Sequence, residues 1–302
     1  MKKIMITGAS GFLGKYVTEQ FAMSDQYEVY AITSGRRSVE FPKGVIVKNA
    51  DLLNEKETGD LIEEIQPDIM CHLAWALEDH KFLNSEKNID WLAASIFMLR
   101  HFIKNKGSQV LFAGSSSEYG IGSLGYCETV RGREYSLYGI TKYTFEQFAK
   151  TYCESSGVTF VCARYFSIYG PNDLREGRAI PTAIQTLMKG KKFICRVPYN
   201  IWDFVYVEDC ARATFQLVEQ KCTGCYNVAS GKPQMMKDVF RLISEILQCT
   251  DLVEYNLDST EGVSLTADST RLKEAVGDVC NTPLRDGLEK TIAWWKKEMN
   301  RN

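Results

Sequence analysis

A phenol and an ammonium group lie one helical turn apart in the segment Y-S-L-Y-G-I-T-K-Y-T-F, at Tyr138 and Lys142. Side chains four residues apart are neighbours on any helix, so such a pair also arises on a solvent-exposed face without a function. A nearby ammonium favours the phenolate and lowers a tyrosine pKa from its ordinary value of about 10. Such a tyrosine can give or take the proton of a carbonyl or alcohol oxygen, so the pair predicts an acid–base device.

Three consecutive serines lie ahead of this pair, in the segment G-S-S-S-E-Y-G. They follow the apolar run 109–113, which has the length and composition of a buried strand. A serine hydroxyl at the end of that strand can hydrogen-bond the oxygen on which the tyrosine acts, as charge develops there. One of these serines is therefore expected to complete the catalytic group.

Such side chains need a scaffold that brings them together, and the first half of the chain predicts one. Short apolar runs alternate with longer amphipathic segments, which is typical of a parallel sheet covered on both faces. The predicted strands are 3–7, 28–33, 45–50, 68–74, 109–113 and 159–165, and the predicted helices are 13–23, 55–65, 82–106 and 137–155. We therefore expect an α/β fold built on a doubly wound parallel sheet, with the carboxyl ends of its strands facing a ligand crevice.

Glycines punctuate the first predicted turn, T-G-A-S-G-F-L-G, at Gly8, Gly11 and Gly14. Glycine there lets the backbone approach a pyrophosphate, and the N–H groups of the following helix point at it. A glycine triplet alone also serves tight turns and close helix packing. This one follows the first strand, opens a helix and lies inside a βαβ unit, so it favours dinucleotide binding by a Rossmann domain.

The loop after the second strand, T-S-G-R-R, contains no carboxylate to bind the ribose hydroxyls of NAD. It does contain Ser34, Arg36 and Arg37, and a guanidinium can grip the 2′-phosphate of NADP. The loop therefore favours NADP over NAD, although two solvated arginines would look the same in sequence. Asp51, followed by Leu52 at the end of the third strand, either accepts a hydrogen bond from adenine or caps the next helix.

The alternation changes after residue 171, where a loop rich in charge and glycine follows. A helix is predicted over 180–189 and a strand pair over 193–207, followed by mixed short elements. We predict an NAD(P)-binding Rossmann domain over 1–170, to which 201–222 returns. The remainder of 171–302 is predicted to form a smaller α+β substrate-binding domain.

Composition argues against several classes of partner. The chain of 302 residues has a net charge of −2 and a pI near 6.0, which provides no field to concentrate nucleic acid or an anionic membrane. No apolar run is long enough to span a membrane, and the N-terminal segment turns polar too early for a signal peptide. Ten scattered cysteines and three histidines without ligand spacing lead us to expect reduced thiols, no metal and a cytoplasmic location.

The sequence resembles the extended short-chain dehydrogenase/reductases, most of which are nucleotide-sugar epimerases, dehydratases and reductases. The resemblance covers nearly the whole chain. It rests on Thr7-Gly8-x-x-Gly11-x-x-Gly14, Asp51-Leu52, His72-Leu73-Ala74, Asn88, the serine run before Tyr119-Gly120, Tyr138-x-x-x-Lys142, Arg164-Tyr165-Phe166, Tyr169-Gly170-Pro171, the segment from Asp203 to Asp209, and Tyr226-Asn227-Val228. Together these motifs are specific for the fold and the class of cofactor.

The resemblance implies roles for individual positions. The catalytic serine or threonine of the family lies four residues before the tyrosine of the Tyr-Gly motif, which is Ser115 here. Tyr138 and Lys142 take the acid–base and ribose-binding roles. The cofactor-lining positions that it implies are Gly8, Gly11, Phe12, Leu13, Gly14, Asp51, Leu52, Leu73, Ala74, Asn88, Tyr138, Lys142 and Tyr165. The helices over 82–106 and 137–155 form a dimer face in the family, so we expect a homodimer.

Departures from the family pattern bear on the substrate. Dehydratases carry acids directly after the catalytic serine or threonine, where Ser116 and Ser117 stand here, so dehydration is not expected. Ser167 replaces an asparagine, Trp202 replaces an arginine that contacts the substrate diphosphate, and a second arginine is missing just before residue 261. Phosphate binding then falls to Arg178, Lys192, Arg196 or Arg271, or the substrate carries no diphosphate. The candidate substrate-binding residues are Ser116, Ser117, Ser167, Arg178 and Arg196.

These features predict an NADPH-dependent reductase of a nucleotide-linked 4-keto-6-deoxy sugar, with the proton supplied by Tyr138. The alternative is an NAD-dependent nucleotide-sugar 4-epimerase, which uses the same residues to oxidise the sugar, let the ketone rotate and reduce it back. An epimerase keeps NAD bound through turnover whereas a reductase exchanges its cofactor, and the arginine loop favours the reductase. A third hypothesis, a non-catalytic dinucleotide sensor, requires the glycine loop but not the catalytic side chains.

Overall fold

The computed structural model describes residues 1–77, 81–120, 123–130, 136–175, 177–257 and 262–300. The strands in these ranges are β1 Lys2–Thr7, β2 Tyr27–Thr33, β3 Ile46–Asn49, β4 Ile69–His72, β5 Gln109–Ser115, β6 Ser123–Tyr126, β7 Thr159–Tyr165, β8 Ser167–Tyr169, β9 Phe193–Cys195, β10 Ile201–Trp202, β11 Phe204–Tyr206, β12 Gly224–Val228, β13 Gln234–Met235, β14 Val253–Tyr255 and β15 Ser264–Ala267. The α-helices are α1 Phe12–Ala22, α2 Glu55–Ile65, α3 Lys87–Lys104, α4 Leu137–Ser155, α5 Ala179–Met188, α6 Val207–Glu219, α7 Met236–Leu247, α8 Thr270–Val276 and α9 Leu284–Met299. No helix in this part of the chain is long and apolar enough to cross a membrane.

A parallel sheet forms the centre of the fold, with the strand order β3-β2-β1-β4-β5-β7-β12. Side chains alternate between the two faces along a strand, so successive residues of β1 enter different cores. Ile4 packs in the cluster that contains residues of α1 and α6, whereas Met5 packs in the cluster that contains residues of α2, α3 and α4. The predicted doubly wound α/β fold is confirmed.

The strand order reverses direction at β1. The chain first adds β2 and β3 on one side of β1, and then β4, β5 and β7 on the other side. A crevice opens at the carboxyl ends of the strands where such a reversal occurs, and ligands of open α/β sheets bind there. Thr7, His72 and Ser115 end three of the strands at this edge.

The chain returns to the sheet after Tyr206. Helix α6 shares the apolar cluster of α1, where Leu217 and Phe21 are both buried. Strand β12 then pairs in parallel with β7. The returning segment therefore continues past its predicted end at residue 222 to Val228.

The smaller part of the molecule has its own apolar cluster, to which α5, α7 and α9 contribute Ile184, Phe240 and Ile292. The strand pair predicted over 193–207 is wrong. Strand β9 pairs with β14, β10 with β13 and β15, and β11 with β8. Strands β9, β10 and β11 have two or three residues each, too few to hold a hairpin together, so distant segments supply their partners.

The helix predicted over 82–106 begins only at Lys87. Phe82–Asn84 forms a 3₁₀ turn, and the backbone of Ser85 is extended, with φ −75° and ψ 137°. The turn brings the ring of Phe82 edge-on to Tyr138, with 5.1 Å between the ring centroids. The break in the helix therefore places an aromatic side chain beside the candidate catalytic tyrosine.

Candidate active site

Ser115 is the last residue of β5 and begins a 3₁₀ turn, Ser116–Tyr119, at the edge of the crevice. Its Oγ accepts a hydrogen bond from the backbone N–H of Ser117 at 3.1 Å. Glu118 Oε1 accepts one from the backbone N–H of Ser115 at 2.7 Å, which completes a capping box. The Ser115 side chain also acts to lower the pKa of Tyr138, so these two polar groups lie near each other.

Tyr138 lies in the first turn of α4, which Ser136 caps by accepting a hydrogen bond from the N–H of Gly139 at 3.1 Å. Gly139 packs directly on the turn that follows Ser115. A Cβ at this position would lie 2.3 Å from the carbonyl oxygen of Ser117. The absence of a side chain at residue 139 therefore lets the helix carry the tyrosine up to the serine.

Lys142 is fully buried on the same helix, one turn further on. Its Nζ donates a hydrogen bond to the carbonyl oxygen of Ala113 at 2.9 Å. It lies 3.8 Å from the ring centroid of Trp75, 4.6 Å from that of Phe112 and 5.8 Å from that of Tyr138. Cation–π contacts and one carbonyl thus hold the ammonium beside the phenol.

Burial dominates the protonation of both groups. It raises the pKa of Tyr138 to about 12, although the Ser115 side chain acts in the opposite direction. In the protein alone desolvation therefore dominates, whereas the predicted pKa decrease requires an oxidised nicotinamide as well as the ammonium. Burial also lowers the pKa of Lys142 to about 7. The phenolate forms in this site only with a further positive charge nearby.

The glycine loop has the shape that a pyrophosphate requires. Gly8 has φ +69°, and a Cβ there would lie 2.8 Å from the backbone of Ala74. A Cβ at Gly14 would lie 2.0 Å from the carbonyl oxygen of Gly8. Helix α1 begins at Phe12 with no side-chain cap and no acid in its first turn. Its N–H groups remain available for an anion, so the loop fits the dinucleotide predicted from the sequence.

Buried hydrogen bonds join the strand ends beneath this loop. Thr7 Oγ1 accepts from the N–H groups of Leu73 and Ala74, both at 3.2 Å, and contacts His72 Nδ1 at 2.8 Å. The other ring nitrogen of His72 contacts Ser95 Oγ at 2.8 Å. Burial lowers the pKa of His72 to about 3, so the ring is neutral. These bonds place Leu73 and Ala74 against the glycine loop, and their cofactor-lining role stays a prediction.

Asn88 does not present a free amide to the crevice, which corrects its assignment as a cofactor-lining residue. Its Nδ2 donates to the carbonyl oxygens of Phe82 and Ser85, at 2.6 and 2.9 Å. Its Oδ1 accepts from Trp75 Nε1 at 2.8 Å. The amide therefore braces the indole on which Lys142 rests, a role that appears only once the loops are folded.

Tyr165 is also turned away from the crevice. Its hydroxyl bonds Thr214 Oγ1 of α6 at 2.5 Å, and its ring belongs to the cluster between the sheet and that helix. The assignment of Tyr165 as a cofactor-lining residue is corrected, since its one polar atom is already used. Phe12 and Leu13 are half-buried at the start of α1, where the resemblance implied them.

The residues expected at the adenosine end lie in exposed loops. Ser34, Arg36 and Arg37 are all solvent-exposed after β2. Asp51 accepts a hydrogen bond from the N–H of Leu53 at 3.1 Å, and Leu52 is buried beside it. Helix α2 is capped by Asn54, whose side chain accepts from Lys56 and Glu57. Asp51 is therefore not the helix cap, which leaves its carboxylate exposed at the end of β3.

A cavity of about 310 Å³ lies in the smaller part of the molecule. Its lining includes Ser167, Arg178 and Trp202. The positive charge of Arg178 acts to lower the pKa of Tyr138. This interaction links the cavity to the catalytic wall, that is, to Ser115 at the end of β5 together with Tyr138 and Lys142 of α4. Its Nε lies 3.3 Å from Asp173 Oδ2, and its guanidinium also donates to the carbonyl oxygen of Ile168.

The other candidate substrate contacts are not brought to this cavity. Arg196 is exposed and does not line it, Lys192 pairs with Glu254 at 2.6 Å, and Arg271 stacks on Tyr226. Ser116 and Ser117 belong to the turn after β5 and are not among its lining residues. Residue 261, just before which the second arginine is missing, lies outside the described residues. Ser167 and Arg178 are the candidates that the structure retains.

Comparison with known proteins defines the class to which this fold and site belong. Residues 4–229 match the model of the NAD dependent epimerase/dehydratase family. The chain belongs to that family, and it is an NAD-dependent enzyme of the extended short-chain dehydrogenase/reductase type. The chain therefore carries a catalytic site on its Rossmann fold.

Individual relatives are similar over nearly their whole length. A putative UDP-glucose 4-epimerase of Methanocaldococcus jannaschii is 24% identical, over 97% of this chain and 98% of the relative. An uncharacterized UDP-glucose epimerase of Bacillus subtilis is 27% identical, over 97% of each chain. The structure of UDP-glucose 4-epimerase of Thermus thermophilus in complex with NAD has a TM-score of 0.85, with 21% identity over 97% of this chain and 99% of that chain. The family description and the Thermus thermophilus structure name NAD, and nothing among these matches supports the NADP preference expected from Arg36 and Arg37.

Proposed function

We propose that the protein is an NAD-dependent nucleotide-sugar 4-epimerase. The observation that carries the proposal is the close packing of α4 on the turn after Ser115, which brings Tyr138 and a buried Lys142 to the end of β5, beside a glycine loop shaped for a dinucleotide. The family and the relatives named as UDP-glucose epimerases support epimerisation over the reduction predicted from the arginine loop. The alternative in the sequence prediction thus has more support than its first choice.

The side chains of this site would perform the proton transfers of the reaction. NAD, which the glycine loop and the start of α1 would hold, would supply hydride transfer at the sugar carbon and a positive charge that favours the phenolate. Tyr138 takes the proton of the sugar hydroxyl through its Oη and later gives it back. Ser115 Oγ donates to the same sugar oxygen as negative charge develops there. Lys142 stabilises the phenolate from the interior side of the site.

Dehydration requires acids that this chain does not place after Ser115. Ser116 and Ser117 occupy those positions, and neither can ionise to remove a proton at neutral pH. Glu118, the next residue, is turned into the interior, where it bonds the N–H of Ser115 and Arg164. The proposal is therefore epimerisation rather than elimination.

The test is to incubate the purified protein with UDP-glucose and UDP-N-acetylglucosamine and a small amount of NAD, and to follow the sugar by NMR. An epimerase interconverts the 4-epimers with no net change in nicotinamide absorbance. A matched reaction with a nucleotide-linked 4-keto-6-deoxy sugar and NADPH tests the reductase. Stoichiometric NADPH consumption without epimerisation would replace the proposal by the reductase.

We retain the homodimer as a proposal, supported by apolar residues exposed on α3 and α4. Ile89 of α3 is 53% exposed, and Ile140 and Phe148 of α4 are 37% and 39% exposed. Side chains of this kind on two packed helices are expected to bury themselves against a second copy. Light scattering of the protein and of a Phe148→Glu variant tests this, because the charge should dissociate a dimer formed through this face.

A cytoplasmic location also remains a proposal. All ten cysteines are free, and most of them are buried. Burial raises the pKa of such thiols, for example that of Cys225, which keeps them protonated and unreactive. Reduced, packed thiols of this kind suit a reducing compartment.

A further inference from the structure

A buried ionic cluster lies directly beneath the turn that presents Ser115. It contains Glu118, Glu146 and Arg164, which are 2%, 4% and 3% exposed. Arg164 Nε contacts Glu118 Oε2 at 2.9 Å and Glu146 Oε2 at 3.0 Å. The second Glu118 oxygen accepts from the N–H of Ser115 at 2.7 Å. One carboxylate side chain thus joins the catalytic turn to the interior.

The distribution of donors shows which of the two acids is ionised. Glu146 accepts hydrogen bonds from Arg164 Nε and Nη2, from the side-chain amide of Gln147 at 3.1 Å and from the thiol of Cys225 at 3.7 Å. Glu118 accepts from Arg164 Nε and from one backbone N–H, and its Oε2 shares that Nε with Glu146 Oε2, which brings the two carboxyl groups together. Because a single guanidinium cannot neutralise two buried carboxylates, the proton belongs on Glu118, which donates it to Glu146.

The surroundings of Glu118 agree with a neutral acid. Burial and the neighbouring Glu146 raise its pKa well above the usual range, and Arg164 acts against them. The other titratable groups that act on the cluster or feel its charge are Tyr119, Glu128, Tyr138, Lys142, Cys162 and Cys225. A carboxylate at residue 118 would add an uncompensated negative charge behind the phenol, which would oppose the formation of the phenolate.

We propose that Glu118 is a positioning residue, whose protonated carboxyl ties the backbone of Ser115 to the Glu146–Arg164 ion pair and thereby fixes the serine hydroxyl against Tyr138. The proposal rests on the proton-transfer role given above to Ser115 and Tyr138. Glu118 itself touches neither substrate nor cofactor in this arrangement. It acts by holding the turn and by remaining uncharged.

The test compares Glu118→Ala with Glu118→Gln, since glutamine has the shape of a protonated glutamic acid and can donate to Glu146 while accepting from Ser115. Its NH₂ cannot accept from Arg164 Nε, which keeps Glu146 Oε2 as its acceptor. Glu118→Ala releases the turn, so its kcat should fall by about 10- to 100-fold with KM within about twofold, as expected for a misplaced catalytic group. Glu118→Gln should restore kcat to within about threefold of the wild type. Glu146→Gln removes the acid that pairs with Arg164, so its kcat should stay below the near-wild-type value expected for Glu118→Gln.

A second measurement, thermal unfolding of Glu118→Gln against the wild type as a function of pH, keeps the proposal testable if the alanine variant fails to fold. An acid with a raised pKa in the folded state stabilises the fold below its unfolded pKa and loses that contribution as pH rises through its folded pKa. The Tm of Glu118→Gln minus the Tm of the wild type should therefore increase as pH rises above 4.5.

Three outcomes would overturn the proposal: an alanine variant that keeps its kcat, a folded glutamine variant as inactive as the alanine variant, or a Tm difference that does not change with pH. Ser115→Ala separates this proposal from the proposed function. If that variant keeps full activity, the function assigned to the site fails, whereas loss of activity in Ser115→Ala with full activity in Glu118→Ala refutes only the role of Glu118.

Discussion

The catalytic wall and the substrate cavity differ in how far the backbone determines their side chains. On the wall, the end of β5 fixes Ser115, the close approach at Gly139 fixes Tyr138, and the carbonyl of Ala113 fixes Lys142. The cavity is instead lined from strands of two or three residues, from loops and from the first turns of α5 and α7, and Trp202 stands there in place of the family arginine. The difference teaches that this chain places its proposed catalytic side chains on rigid elements and its candidate substrate contacts in the less regular part.

The largest expected effect on kcat comes from removing the Tyr138 hydroxyl from the catalytic wall. Tyr138→Phe removes the hydroxyl that exchanges the proton, so kcat should fall by about 1,000-fold while NAD binding is retained. Tyr152→Phe, on the distal part of α4, is the matched control and should leave kcat unchanged. Steady-state kinetics and NAD titration measure both variants. A Tyr138→Phe enzyme with normal turnover would remove the phenol from the mechanism and leave the sensor hypothesis standing.

The glycine loop is the next most sensitive part of the wall. Gly14→Ala places a Cβ 2.0 Å from the carbonyl oxygen of Gly8 in the present backbone. Overpacking of this kind costs up to about 3 kcal/mol, so NAD affinity should fall by about 100-fold as the loop moves. Gly59→Ala in α2, where a Cβ would lie 3.4 Å from the ring of His101, is the control. Calorimetric NAD titration distinguishes them, and equal affinities would contradict the described loop geometry.

The buried ammonium gives the wall a characteristic pH dependence. Burial lowers the pKa of Lys142 from 10.5 to about 7, so between these values the unfolded chain binds the additional proton. The free energy of unfolding of the wild type should therefore rise with pH relative to Lys142→Met, by about 1 kcal/mol per pH unit over this window. Urea unfolding at several pH values measures this. A constant difference would mean that the lysine is solvated.

The smallest effect should come from the cavity. Trp202→Arg supplies the guanidinium that the family pattern places against the substrate diphosphate, so KM for a nucleotide-diphosphate sugar should fall by about tenfold with kcat kept. Trp202→Phe keeps an aromatic side chain and should change neither constant. An unchanged KM in the arginine variant would show that the cavity does not receive the diphosphate at this position.

The same contrast explains how much could be predicted from sequence. The sheet, α4 and the Tyr138–Lys142 pair follow from periodicity and spacing, because these depend on neighbours along the chain. The bracing of Trp75 by Asn88 and the turn of Tyr165 toward α6 depend on contacts between distant segments, which no local pattern reports. The pKa increase of Tyr138 was missed for a similar reason, since desolvation is set by the whole fold.

The short strands show the other limit of prediction. The apolar residues of 193–207 were read as a strand pair, yet β9, β10 and β11 each pair with a different distant strand. Strands of two or three residues carry too little pattern to specify a partner. Two of these short strands, β10 and β11, line the cavity, and of the candidate substrate residues only Ser167 and Arg178 lie there.

The most direct test of the account is a single turnover with NAD bound to the protein and a nucleotide sugar added in excess. The account predicts that the wild type transiently reduces the nicotinamide and then returns the hydride, whereas Ser115→Ala and Tyr138→Phe bind NAD but develop little or no reduced nicotinamide. Equal reduction in all three proteins would contradict the claim that these two hydroxyls act together on one sugar oxygen.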